Sequence, residues 1–423
     1  MTYHRSTFDA LKLRLREAPT RLQIVAGPRQ VGKTTLVRQL LSPLERPVGS
    51  YRYLAADGVD DPYAAVDSMA GSAFAPGRPR GQEWLVEQWA QATVAAANWG
   101  RSESAVTRPF VLAIDEIQRI DGWSVAIKGL WDALHASPVH MHVVLLGSSP
   151  LLMQKGLSES LAGRFEVTRL THWSFEEMNS AFGFDLDEYI FFGGFPGSAA
   201  WISDEPRWRD YVNLSLIRPN IDIDILAMTR VDKPALLRQL FELGCLYSGQ
   251  IVALDKLLGT LNDAGNVTTL ARYLELLADA GLLAGLQKQS DGAIRRRRAP
   301  PKLQAMNGAL VSAQGAHSFA QARADRSHWG RLVESAFGAH LLNTAGADMA
   351  VRYWRDGVLE VDFVIEHHGR LAAIEVKSAP RSLRHAGLEE FSRRHPGCKT
   401  WQVGGDALPI GEALRRPAAE WLE

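Results

Sequence analysis

Cysteine is almost missing from this chain. Its 423 residues include two, Cys245 and Cys398, far apart in sequence. That excludes a disulfide framework and leaves no pair at zinc-ligand spacing. It suits a reducing cytosol, so the expected location is cytoplasmic. Net charge is missing too, because 47 Lys and Arg balance 47 Asp and Glu. A neutral chain has no general attraction for polyanions, so any nucleic-acid surface has to be a local patch. No apolar run approaches the ~20 residues that a membrane span needs, so no membrane partner is expected. The first twenty residues, MTYHRSTFDALKLRLREAPT, lack the apolar core of a signal peptide. Leu11, Leu13 and Leu15 sit among charges there and read as an ordinary helix. There are no internal repeats and no low-complexity tract.

What is present is enough apolar material for several cores, 46% of residues. At about 150 residues per domain, the length predicts roughly three domains. Leu22 to Ala26 is a short apolar run, and Leu36, Val37, Leu40 and Leu41 follow at helical spacing. SYRYLAAD (50–57), PFVLAIDEIQRI and HMHVVLLGSSP read as further strands. Buried strands alternating with helices predict a parallel sheet covered on both faces. Ligands then gather at the strands' carboxyl ends.

The stretch between the first strand and helix is GPRQVGKTTL. Gly27-x-x-x-x-Gly32-Lys33-Thr34 matches the phosphate-binding loop in full. Gly27, Pro28, Arg29, Gln30, Val31, Gly32, Lys33, Thr34 and Thr35 are the candidate nucleotide-binding residues. Glycines let backbone amides turn toward phosphates, and the helix N-terminus adds its dipole. Lys33 is expected to reach the β- and γ-phosphates of ATP, and Thr34 to hold Mg²⁺. Asp115 and Glu116 end an apolar strand, where acids are costly unless they serve a metal or a proton. Asp115 is the candidate Mg²⁺ partner, and Glu116 the candidate base for the attacking water. The rival reading is a strand end with two solvated acids. Ser148 is a candidate γ-phosphate sensor or part of a plain Ser-rich turn. Arg164 would act on a γ-phosphate in the same or a neighbouring subunit, or it is a surface arginine.

After residue 175 the pattern turns helical. EYIFFGGFPGSAAWI holds a Gly-Gly turn that suggests a hinge. Three short helices are expected between Ala235 and Leu286, with Thr268 or Thr269 capping the third. A hairpin follows, turning at Asp291-Gly292. Helix, helix, turn, helix, hairpin is the order of a winged helix-turn-helix. Arg272 on the third helix and the run Arg295, Arg296, Arg297 and Arg298 are the candidate DNA contacts. They would bind phosphates in a salt-dependent, largely sequence-blind way. A solvated loop or a protein contact is the rival.

Near the end of the chain, HWGRLVESAFGAHLLN predicts an amphipathic helix. AVRYWRDGVLEVDFVIEHHGRLAAIEVKS predicts strands turning at Asp356-Gly357 and His368-Gly369. Glu375 and Lys377 lie two apart on one strand and share a face. Asp362 and Glu375 can hold Mg²⁺, with Lys377 placing or deprotonating a water. Each taken singly could be a solvated strand face. His367-His368 reads as a surface pair.

GPRQVGKTTL, VLAIDEIQ, VLLGSSPLLM and ESLAGRFEVTRLTHWSFEEM resemble the AAA-type ATPases of the bacterial and archaeal group that ends in a DUF4143 domain. The order continues through FFGGFPGSA, TLARYLELLADAGLL, WGRLVESAFGAHLL and EVDFVIEHHGRLAAIEVKS, covering nearly the whole chain. Two places depart from that group: THWSF stands where Pro-Leu-Ser-Phe is usual, and Asn307 where Asp is usual. The resemblance implies an α/β ATPase core at 1–175, a helical lid at 176–234, a winged helix-turn-helix at 235–299 and a restriction-endonuclease-like domain of PD-(D/E)XK type at 300–423. It adds Glu334 as a further metal ligand beside Asp362 and Glu375. The favoured reading is an ATP-hydrolysing, DNA-binding protein whose end domain is a candidate Mg²⁺-dependent nuclease, with a homo-oligomer as a candidate assembly. The alternatives are a DNA-binding regulator with an inactive nuclease fold, or an ATPase that docks on proteins.

Overall fold

The computed structural model describes residues 3–42, 45–57, 80–147, 160–226, 231–261, 266–290, 299–377 and 386–423. They form two compact units, Met1–Leu170 and Thr171–Glu423.

The first unit is built on a five-stranded sheet. Its strands are β1 (Leu22–Ala26), β2 (Tyr51–Ala55), β3 (Phe110–Asp115), β4 (Met141–Gly147) and β5 (Phe165–Arg169). The order across the sheet is β2-β3-β4-β1-β5, and every pairing is parallel. β1, β3 and β4 are buried along their whole length, as the unbroken apolar runs predict. Alternate residues serve opposite faces. Ile24, Leu112, Ile114, Val143 and Leu145 pack with Trp84, Trp89, Trp123 and Trp131. Val25, Val111, Ala113, Val144 and Leu146 pack with Phe8, Leu11, Leu36 and Val37. With all strands pointing one way, β1 and β3 bring their carboxyl ends to the same edge, one strand apart.

The second unit opens with helices Phe175–Phe182 and Leu186–Phe192, each started by a capping box. The Gly-Gly pair expected to mark a hinge is tightly packed. A Cβ on Gly193 would meet Asn307 Oδ1 at 2.0 Å, and one on Gly194 would meet the Trp173 carbonyl at 2.1 Å. The glycine pair is therefore a close-packing device. Helices Pro234–Leu246, Leu254–Leu258 and Val267–Asp279 follow. Asn266, not a threonine, caps the third, and its side chain accepts from Thr269 N at 2.9 Å. Next come β6 (Leu283–Leu286) and β7 (Lys302–Ala305), an antiparallel ribbon.

Helix Arg326–Thr344 leads into the last sheet: β8 (Ala350–Asp356), β9 (Leu359–His367), β10 (Arg370–Val376) and β11 (Lys399–Val403). Its order is β11-β10-β9-β8, antiparallel except for the β10–β11 pair. At the β9–β10 turn, His368 and Gly369 both take positive φ, 48° and 79°. Two such residues give the twist that a two-residue hairpin needs. Trp354, Val361, Val364, Ala373, Leu388 and Phe391 form one core, which includes helix Ala386–Arg394. Phe337 of helix Arg326–Thr344 meets Phe363 and Trp421 in another, at 5.8 and 5.5 Å between ring centres.

Candidate functional site

The loop Gly27–Gly32 connects β1 to helix Lys33–Leu40. A Cβ on Gly27 would fall 2.0 Å from the Leu170 carbonyl oxygen, so this position admits only glycine. Gln30 and Gly32 hold positive φ, 61° and 91°. That reverses the chain and starts the helix at Lys33, whose first-turn amides lack acceptors inside the helix. Lys33 is buried and lies across the loop, its Nζ donating to the carbonyls of Gly27 at 2.9 Å and Pro28 at 2.7 Å. An ammonium already bound to that loop has a short path to anything the loop holds.

Thr34 Oγ1 donates to Asp115 Oδ2 at 2.7 Å. This bond joins the loop's helix to the end of β3 across the intervening β4. Asp115 is buried. Tyr53 Oη donates to the same Oδ2, and Glu116 N donates to Oδ1 at 2.9 Å. Burial, then the Asp115 charge and hydrogen bond, push the Tyr53 hydroxyl above its usual pKa, so it stays a donor. Glu116 takes a left-handed backbone, φ 52° and ψ 37°, unusual for a non-glycine residue and typical of strained functional positions. Its carboxylate accepts from Gln118 Nε2. A hydroxyl and a carboxylate in contact form an oxygen donor set of the kind Mg²⁺ takes. Arg164 lies in the same unit, its guanidinium paired with both Asp132 oxygens at 2.8 and 3.1 Å. Ser148 and Arg295–Arg298 lie outside the described residues. Arg272 is exposed on helix Val267–Asp279.

The second cluster is built by the last sheet and the helix before it. Glu334 comes from helix Arg326–Thr344, Asp362 from β9 and Glu375 from β10, with Lys377 just beyond. Asp362 Oδ2 accepts from Val376 N at 2.8 Å, which fixes its side chain against β10. Lys377 Nζ lies 2.7 Å from Glu375 Oε1. At the centre sits Lys302, which sequence reasoning missed. It is 0% exposed, with Nζ 2.6 Å from Glu334 Oε1, 3.6 Å from Asp362 Oδ1 and 4.0 Å from Glu360 Oε1. Nζ also donates to the Asp362 carbonyl at 3.2 Å. Burial opposes the Lys302 charge, but Glu334 and Asp362 outweigh it and raise its pKa above the lysine value. Burial raises Glu334 above the carboxylate range, with Lys302 working against that rise.

At the β9–β10 turn, His367 Nε2 lies 2.7 Å from Asp348 Oδ2 and His368 Nε2 lies 3.3 Å from it. Asp348 and His368 are exposed, and His367 is half-buried.

Three families match the chain in succession. Residues 19–179 match the AAA domain, 183–319 a domain of unknown function, DUF8612, and 329–409 another, DUF4143. The chain carries an AAA domain and a DUF4143 domain. No curated protein matches it. Among solved structures, it is similar to a Walker-type ATPase of Pyrococcus abyssi at 15% identity and TM-score 0.46. That alignment covers 74% of this chain and 96% of the other. RuvB of Thermotoga maritima matches at 18% identity and TM-score 0.31, over 66% of this chain and 86% of that one. AMPPCP-bound DnaA of Aquifex aeolicus matches at 14% and TM-score 0.30, over 66% and 90%.

Within the AAA match, Tyr53 is the site residue that the motifs did not point to. Its signal was register, because Ala55 pairs with Asp115 and so β2 flanks the acidic strand end. Lys302 falls in the DUF8612 match, yet its ammonium lies among carboxylates of the DUF4143 match. Its signal was a lysine two positions before a glutamine in a strand buried throughout. Among the described residues, no helix is long and apolar enough to cross a membrane.

Proposed function

We propose that this protein binds and hydrolyses ATP, engages DNA, and carries a nuclease-like end domain. The ATPase reading rests on the bond from Thr34 Oγ1 to Asp115 Oδ2, which puts the loop's hydroxyl and the strand's carboxylate at one point. In this reading, Gly27 to Thr35 cradle the phosphates and Thr34 and Asp115 hold Mg²⁺. When bound, Mg²⁺ would offset charge on the β- and γ-phosphates. Lys33 would leave the Gly27 and Pro28 carbonyls for the phosphates. Glu116, held off the strand by its left-handed backbone, would orient the attacking water. Arg164 would have to leave Asp132 to act, in its own copy or across a homo-oligomer, and Ser148 would sense the γ-phosphate.

The DNA reading is supported by three helices followed by a ribbon, the winged-helix order, with exposed Arg272 on the third helix. The arginine run 295–298 falls in sequence between the ribbon's two strands.

For the end domain, the convergence of Glu334, Asp362, Glu375 and Lys377 supports Mg²⁺-dependent cutting. The Lys302 ammonium among those carboxylates favours a second reading, a nuclease fold that does not cut.

The test is cleavage of plasmid and single-stranded DNA with Mg²⁺ or Mn²⁺, with and without ATP. Wild type, Lys33→Ala and Lys377→Ala are compared, with ATP turnover measured alongside. Cleavage lost in Lys377→Ala establishes the nuclease. Turnover lost in Lys33→Ala without cleavage in any lane leaves the ATP-driven DNA-binding protein. Absence of ATP turnover in wild type, with and without DNA, would sink the proposal.

A further inference from the structure

A divalent ion held by Glu334 and Asp362 would need the oxygens that Lys302 now occupies. Mg²⁺ sits about 2.1 Å from each oxygen and tolerates little distortion. An ammonium 2.6 Å from one of those oxygens and 3.6 Å from the other leaves no room for it. Two cations at such spacing would also repel strongly in a buried place. A metal that shares oxygens of Glu334 and Asp362 therefore does not fit while Lys302 stays.

The structure gives Lys302 no easy exit. Its side chain is fully buried, and Nζ lies 4.7 Å from the centre of the Phe363 ring. The strand carrying it is pinned to the helix carrying Glu334. Gln304, two residues on and facing the same way, donates through Nε2 to the Ser335 carbonyl at 2.8 Å. That approach needs Gly338, where a Cβ would stand 2.2 Å from Gln304 Oε1.

We infer that Lys302 is a tethered cation that fills the carboxylate pocket of the end domain and excludes divalent metal from it. The inference rests on the reading of Glu334, Asp362 and Glu375 as a nuclease-like set. The ammonium offsets part of the pocket's carboxylate charge from within the chain, and the domain keeps the geometry of a metal site without the metal. Removing the lysine's charge turns the same residues into a divalent-cation site.

The test is Mn²⁺ titration of the full chain by calorimetry and electron paramagnetic resonance, without nucleotide. An Asp115→Asn background silences the first site. The parent is expected to show no Mn²⁺ site that Asp362→Asn removes. Lys302→Met is expected to gain one and to lose it when Asp362→Asn is added. Lys302→Arg, which keeps the charge, should behave as the parent. A parent that binds Mn²⁺ through Asp362 overturns the inference, whether or not Lys302→Met folds. So does a folded Lys302→Met that gains no site. A Lys302→Met chain that binds Mn²⁺ yet cuts no DNA upholds the inference and removes the nuclease reading of the domain.

Discussion

His172 Nδ1 and Asn307 Nδ2 lie 3.1 Å apart in the interior of the second unit. They stand at the two places where the sequence departs from the group it resembles. His172 Nε2 lies 2.7 Å from the Gly281 carbonyl, which can only accept, so Nε2 carries the proton and Nδ1 is the acceptor. Asn307 fits that need with its amide NH₂. Its Oδ1 accepts from Gly194 N at 3.0 Å and Ala309 N at 3.1 Å. The two departures thus meet in one hydrogen bond.

Asn307→Asp keeps the Oδ1 bonds but sets a second carboxylate oxygen against the Nδ1 lone pair. At pH 8 it should cost roughly 1–3 kcal/mol, as a buried unmade hydrogen bond does. Thermal melts of the variant against the parent check it, and an unchanged melting temperature would refute the assignment.

Thr34 contributes through its hydroxyl, so size and charge at that position are secondary. Thr34→Ser should keep most Mg²⁺-dependent ATP turnover, whereas Thr34→Ala and Lys33→Ala should each lose about 100-fold or more. Steady-state ATPase assays decide this. Equal losses in the serine and alanine variants would remove the metal role.

Tyr53 shares Asp115 Oδ2 with Thr34. Tyr53→Phe removes one hydrogen bond to that carboxylate, worth about 1.5 kcal/mol or more. The expected result is a Mg²⁺ requirement for ATP turnover raised about tenfold, with the fold intact. An unchanged Mg²⁺ dependence would make Tyr53 a packing residue only.

His142 on β4 is buried, and its Nε2 lies 3.0 Å from the Glu17 carbonyl. Its Nδ1 has no hydrogen-bond partner among the described residues. Burial, partly offset by the Glu17 bond, lowers its pKa from 6.5 to about 4. The unfolded chain therefore binds a proton that the folded one refuses between those values. Stability should fall as pH drops from 6.5 toward 4, by roughly 3 kcal/mol from this group. His142→Gln, which keeps a donor for Glu17, should show a flatter profile over that window in urea unfolding followed by tryptophan fluorescence. Parallel profiles would count against it.

The strands of the first sheet and the phosphate-binding loop were legible because their signals are local. An apolar run, a glycine pattern and two acids in a row each need few neighbours to be read. Elsewhere local chemistry admitted several answers. Thr268 and Thr269 are good caps, but Asn266, one residue before the helix begins, took the place. The Gly-Gly turn reads as a hinge until Asn307 and Trp173 are seen against it. Tyr53 and Lys302 were beyond such reading. Each meets its carboxylate partners far along the chain, Tyr53 meeting Asp115 and Lys302 meeting Glu334 and Asp362.

The position of Lys302 also bears on how this chain could be divided. The lysine lies on β7, ahead of the stretch 329–409 that holds Glu334, Glu360 and Asp362. A fragment cut at that family boundary would leave three carboxylates crowded together without the ammonium that lies among them. Such a fragment would fold poorly or recruit whatever cation the buffer offers. A metal measured on it would be a product of the scissors. The end domain is therefore not a portable module, and position 302 must travel with it.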